Sequence, residues 1–365
     1  MRFERTERLI HEGMERGLHI GAQLYASVRG EVAAQLAVGE SRTGVPMRDD
    51  TIMVWLSSTK PIAAVAAGQL MDRRLIGLDE PVCTYIPEFG TNGKEAVTLR
   101  HILTHTAGFR MPIRHWRGQT WDEAMDEVYR ARLEPRWVPG EKAGYHPASS
   151  WYVLGELVRR LDGRPFDDYA RDEIFEPLGM DDWWVGIPLE RQEAYGDRLG
   201  VMHITTQSPP TPNATYESPE FIAAVRPGGN GRGPARGLGR FYEMLLNRGE
   251  LDGRRVLEAG TAATLVDRHR VGMFDHTFKH VIDYGLGFII DSKQYGVDTV
   301  PYGYGDHASA RTFGHSGAES STAFGDPEHG LAAALVFNGM CGEAAHQARQ
   351  RAVTTAIYED LGLGR

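Results

Sequence analysis

Only two cysteines, Cys83 and Cys341, occur in 365 residues, far apart and without partner motifs. A disulfide scaffold and a thiolate metal site are thereby excluded, and a reduced, cytoplasmic protein is the expectation. No apolar run approaches the length needed to cross a bilayer. The first residues alternate charged and apolar positions at helical spacing with no apolar core segment, so no secretion signal is expected. Lysine and arginine form no cluster, and the formal net charge is −9. Nucleic acid and anionic membrane surfaces are therefore not expected as partners. Repeats and low-complexity tracts are also missing. What remains, 41% hydrophobic with 43 Gly and 19 Pro, is long enough for one large core or two lobes.

The pattern along the chain has strands at both ends and helices between. Residues 2–17 read as an amphipathic helix, and 22–29 and 32–38 as two strands around Arg29-Gly30-Glu31. Helical patterns and Pro/Gly loops dominate 80–265, clearest at 150–161, 166–174 and 238–247. The glycine-rich run Arg226–Pro234 reads as a surface loop or a wall around a cleft. Strand signals return at 284–290, 320–324 and 331–337, and a last helix spans about 343–361. This layout predicts an α+β fold with one sheet built from both chain ends. Residues 1–79 and 266–365 would form the sheet domain, and 80–265 an inserted, mostly helical lobe.

The chemistry centres on Ser57-Ser58-Thr59-Lys60-Pro61, which opens an Ala-rich apolar run ending at Met71. Pro61 fits only in a first helical turn, which places the helix start beside Ser57. Three residues apart, Ser57 and Lys60 share one helical face. There the amine is placed to take the hydroxyl proton, and the helix dipole favours a developing oxyanion. The same pattern also suits a helix cap followed by a solvated lysine.

Three further stretches stand in order behind it: Leu103-Thr-His105-Thr-Ala-Gly108, then Tyr145-His146-Pro147, then Gly314-His315-Ser316-Gly317. With these the chain resembles the serine β-lactamase and penicillin-binding-protein superfamily. It looks closest to the class C-like branch of family VIII-type esterases and related acyltransferases. The likeness runs from about residue 20 to 360, with 88 residues from Ser57 to Tyr145 and 170 more to His315. It implies an antiparallel sheet flanked by helices, with the active site in the cleft beside the helical lobe. It implies Ser57 as the acylated nucleophile, Lys60 as its partner amine, and Tyr145 as a phenolate-like base and acid whose pKa neighbouring cations lower. By the same carry-over the N–H groups of Ser57 and Ala318 form the oxyanion hole. His315, Ser316 and Gly317 lie along the substrate, with Gly317 letting it approach the strand.

Two departures from the family pattern bear on substrate. Pro147 stands where the family has an asparagine that grips a β-lactam side chain, and His315 replaces the lysine that binds a carboxylate. As a cation His315 depends on pH, or it is a packed neutral residue. Neither change touches acylation, and both argue against a true β-lactamase. The expectation is a serine hydrolase acting on carboxylic esters or amides, without metal or cofactor, taking a small-molecule acyl donor. The alternative is a biosynthetic transacylase passing the acyl group to a second small molecule, an alcohol or amine.

Other readings remain at this stage. Gly314–Ala318 is one residue from the G-x-S-x-G elbow, which would make Ser316 the nucleophile, but that elbow needs a helix after the strand. A non-catalytic binding module would keep the fold without using Ser57. The pairs His101/His105 and His276/His280 lack a third ligand at supporting spacing. Trp55, Trp116, Trp121, Trp137, Trp151, Trp183, Trp184, Tyr302 and Tyr304 are candidate cleft walls, collectively favouring an apolar or aromatic acyl group.

Overall fold

The structure, a computed structural model, describes residues 3–110, 119–297, 301 and 303–364. Its main sheet has seven antiparallel strands: β1 (Gly21–Val28), β2 (Glu31–Arg42) and β3 (Val45–Pro46) from the N-terminal part. A short strand, β4 (Met53–Leu56), leads to the Ser57 segment and pairs with β5 (Gly231–Gly233) in a separate sheet. The C-terminal part supplies β6 (Ile289–Ile290), β7 (Phe313–Ser316), β8 (Ser321–Asp326) and β9 (Leu331–Phe337) to the main sheet, in the order β6-β7-β8-β9-β1-β2-β3. Residues Ala22–Val28 of β1 pair in register with Leu331–Phe337 of β9, so the two chain ends meet at the sheet centre. The α+β expectation holds.

Both faces of that sheet are covered, and the alternation along β9 shows how. Ala332, Ala334 and Val336 pack into one core with Phe241 and Tyr242 of the helix Ala235–Leu246. Leu331, Ala333, Leu335 and Phe337 pack into a second with Val353 and Ile357 of the helix Glu343–Asp360. The period of two delivers each set to one face. We number the helices named in the argument α1 (Glu4–Glu15), α2 (Lys60–Asp72), α3 (Ser149–Asp162), α4 (Ala235–Leu246), α5 (Ala259–Val266) and α6 (Glu343–Asp360). Helix α1 lies against α6, tied by Arg5 to Glu359 at 2.5 Å and by Thr6 to Asp360 at 2.8 Å.

Helix α2 is buried from Lys60 to Leu70 on every side, packed against α3 and α5. A helix apolar all round belongs in a core, and its small side chains let neighbours come close. Two local expectations differ from the structure. Residues 284–290 form a strand only at Ile289–Ile290, because Gly287 takes φ +87° and folds the segment so that its N–H reaches Leu103 O. Of the two readings of the run 226–234, the surface loop does not hold: Gly228, Asn230 and Arg232 are buried, and Gly231–Gly233 is β5.

Candidate active site

Ser57 opens a short 3-10 turn, Ser57–Thr59, that runs directly into α2. The residue before it, Leu56, has φ +49° and ψ −128°, a backbone conformation that non-glycine residues avoid. The strain is held by neighbours on both sides. Thr59 Oγ1 donates to Leu56 O at 2.6 Å and accepts from the Gly231 N–H at 2.7 Å, while Ser321 Oγ donates to Trp55 O at 2.6 Å.

Lys60 is wholly buried, and its Nζ lies 3.0 Å from Ser57 Oγ. It donates to two main-chain carbonyls, Pro147 O at 3.0 Å and Gly228 O at 2.7 Å. Burial first, and Arg226 second, push its pKa well below the usual amine value. A neutral amine has two N–H donors and one lone pair. In that state, with both donors on the carbonyls, the lone pair would face the Ser57 hydroxyl, whereas the ammonium donates to all three acceptors, Ser57 Oγ among them. Pro147, which has no side-chain amide to offer, contributes through its backbone.

Tyr145 is buried at 8% exposure with its ring centroid 5.1 Å from Lys60 Nζ, and the Ser57 side chain lies close enough to its hydroxyl to lower the phenol's pKa. Here the structure reverses an expectation. Burial raises the phenol's pKa, outweighing the lowering from the Ser57 hydrogen bond, and buried Asp275 raises it further. Lys60, the cation that would have lowered it, is itself driven toward neutrality.

The residues that hold Tyr145 carried no motif. Asp275 Oδ1 accepts from the N–H groups of Tyr145 at 3.1 Å, Thr277 at 2.9 Å and Phe278 at 3.0 Å. Its other oxygen is 3.2 Å from buried Arg270, which also reaches Thr104 O and Ile282 O. His105, with φ +58°, takes the His146 N–H on Nδ1 at 3.0 Å and places its ring 4.7 Å from that of Tyr145. His101 Nδ1 accepts the Thr98 N–H at the start of its helix. Both histidines thus serve the backbone. Among the described residues no group of three or more His, Cys, Asp or Glu is placed to hold a metal.

His315 faces Tyr145 at 6.0 Å between ring centroids and is buried. Burial first, then Lys60, lowers its pKa to about 3. Its Nδ1–H donates to Ser316 O at 2.9 Å, leaving Nε2 a lone-pair acceptor with no partner among the described residues. The pH-dependent cation is therefore replaced by a neutral imidazole. Ser316 ends β7, bonds Thr322 Oγ1 at 2.6 Å, and is followed by a turn and another antiparallel strand, so the elbow reading fails for lack of its helix. Gly317 is needed for chain packing: a Cβ there would lie 2.2 Å from Trp55 O and 2.5 Å from Ser321 Oγ. Ala318 is exposed in the following turn, and Glu319 after it has φ +49°.

The aromatic residues mostly pack. Trp55, Trp183 and Tyr304 are core residues, and Trp151 is buried with its ring 5.3 Å from Lys60 Nζ. Trp121 lines a cavity of about 500 Å³ with Tyr152 and Phe166. Trp116 and Tyr302 lie outside the described residues. Beside Tyr145 a cleft of about 450 Å³ is bounded by Phe109, Arg110, Arg132, Pro147 and Thr277.

A family model described as Beta-lactamase matches residues 6–356. The Esterase/beta-lactamase LipL of Mycobacterium tuberculosis is 29% identical over 320 residues, 80% of this chain and 71% of that protein. A penicillin-binding protein homolog from Caulobacter crescentus superimposes with TM-score 0.79 at 28% identity, covering 97% of both chains. A family VIII carboxylesterase does so with TM-score 0.80 at 26% identity, over 98% of this chain and 97% of that one.

Proposed function

The chain belongs to the Beta-lactamase family, and from that premise we propose that it is a serine esterase cleaving neutral carboxylic esters through an acyl-enzyme on Ser57. The observation that carries this is the Lys60 amine, 3.0 Å from Ser57 Oγ with its two N–H donors held by Pro147 O and Gly228 O. Lys60 takes the hydroxyl proton as Oγ attacks the ester carbonyl carbon. The main-chain N–H groups of Ser57 and Ala318 receive the oxyanion, a contribution on the order of 3 kcal/mol per donor. Tyr145, kept as a phenol by its burial, gives its proton to the departing alcohol oxygen. The ammonium of Lys60 then reprotonates the phenolate. In the second half, water loses a proton to Lys60 as it attacks the acyl carbon, and Lys60 returns that proton to Ser57 Oγ as the acid leaves.

Neutral esters are favoured because His315 offers no positive charge to a substrate carboxylate and Pro147 no amide to a lactam side chain. A second reading, acyl transfer to an alcohol or amine, draws support from the cleft beside Tyr145, which has room for another reactant. Both free cysteines support a cytoplasmic setting, and no helix among the described residues is long and apolar enough to cross a membrane. The test is mass spectrometry after incubation with a p-nitrophenyl ester panel. The adduct is expected on the Ser57 peptide and absent from Ser57→Ala. A label elsewhere, or no turnover of any activated ester, would overturn the esterase. Release into added alcohols rather than water would select the transferase.

A further inference from the structure

A cleft of about 600 Å³ lies between α4, α5 and the β6–β7 edge of the sheet. That is the size of a small-molecule site. Its floor is hydrocarbon: Leu246 from α4, Val266 from α5, Ile290 from β6 and Phe313 from β7. Ile290 and Phe313 are buried beneath it, while Leu246 and Val266 are half-exposed.

The rim has the opposite character. Three arginines, Arg248, Arg268 and Arg311, border the cleft against one carboxylate, Asp267. Asp267 Oδ1 accepts the Arg268 main-chain N–H at 2.9 Å. The Arg268 guanidinium is fixed by Asp283 Oδ2 at 2.9 Å, Asp291 O at 3.1 Å and Ala310 O. Arg248 and Arg311 are exposed, and among the described residues neither guanidinium has a hydrogen-bond or ion-pair partner. Arg248 is moreover held at φ +56° at the end of α4.

An apolar floor under two uncommitted guanidinium groups suits one chemical class, since such forks pair with carboxylates and the floor with an alkyl chain. We propose that this cleft binds an amphipathic carboxylate, its chain on Leu246, Val266, Ile290 and Phe313 and its head group at Arg248 and Arg311. Phe313 and His315 alternate onto the same face of β7, so an occupant rests on the strand that carries His315. None of the groups that hold Ser57, Lys60 or Tyr145 lines it, and the site stands whichever acyl transfer the enzyme performs.

Sodium decanoate is the probe, titrated calorimetrically into the full chain carrying Ser57→Ala so that the nucleophile plays no part. One saturable site per chain is expected, with 1-decanol binding more weakly. The exposed double change R248E/R311E should weaken decanoate on the order of tenfold or more, and Leu246→Trp should abolish binding by filling the floor. Melting curves establish that each variant is folded. Unsaturable uptake, or the same affinity in R248E/R311E as in the parent, overturns the assignment.

Discussion

The Lys60 amine and the Tyr145 phenol are pushed in opposite directions by the same cause, removal from water. Both forms favoured are neutral, and this sets the sign of the pH dependence. With Lys60 as the proposed base, active when unprotonated, kcat/KM should rise as pH climbs through its depressed pKa and then stay level. With Tyr145 as the proposed acid, active when protonated, the decline should come only above about pH 10, the ordinary phenol range. A profile that climbs all the way to the usual lysine pKa would remove Lys60 as the resting base. Lys60→Arg cannot shed its proton and should cost about a thousandfold or more in kcat. His315 is predicted to be silent between pH 5 and 8. His315→Gln should therefore leave the shape of that profile unchanged, and loss of an inflection near pH 6.5 would show that the imidazole titrates after all.

The segments that position those groups set the next predictions. Gly228 presents its carbonyl to Lys60 because it lies flush on Trp151, where an added Cβ would come within 2.6–2.8 Å of the indole. Gly228→Ala should push that carbonyl away and lower kcat on the order of a hundredfold, with KM measured alongside to separate positioning from binding. The hairpin of Phe274–Asp275 and His280–Val281 carries Asp275, which fastens three N–H groups and faces Arg270. Asp275→Ala leaves a buried guanidinium unpaired, a loss of about 3–5 kcal/mol that urea denaturation would measure. Asp275→Asn retains part of the hydrogen bonding and should fall between.

Taken as a whole, the molecule was legible where chemistry is local. The local pattern foretold α1, β1, β2, β9 and α6 to within a few residues: α1 by its helical spacing, and β1 and β9, buried on both faces, as short apolar runs bounded by turn signals. Ser57, Lys60 and Tyr145 were found by motif, and the structure brings them together. What stayed hidden depends on distant partners. Asp275 and Arg270 look like ordinary surface charges until the chain closes on them, and Gly228 is one of many glycines in its run. Charge states were hidden too. The sign of the Tyr145 shift and the neutrality of His315 follow from burial by helices and strands far along the chain, and no residue spacing encodes that.

The contact of α1 with α6, with Arg5 on Glu359 and Thr6 on Asp360, has a topological consequence. The first turn of α1 and the last turn of α6 lie side by side, so a short Gly/Ser linker joining the chain beyond them should close the backbone into a ring without disturbing the sheet. Reopening that ring at the exposed turn around Asp252–Gly253 should give a rearranged gene product with the parent's melting temperature and ester turnover.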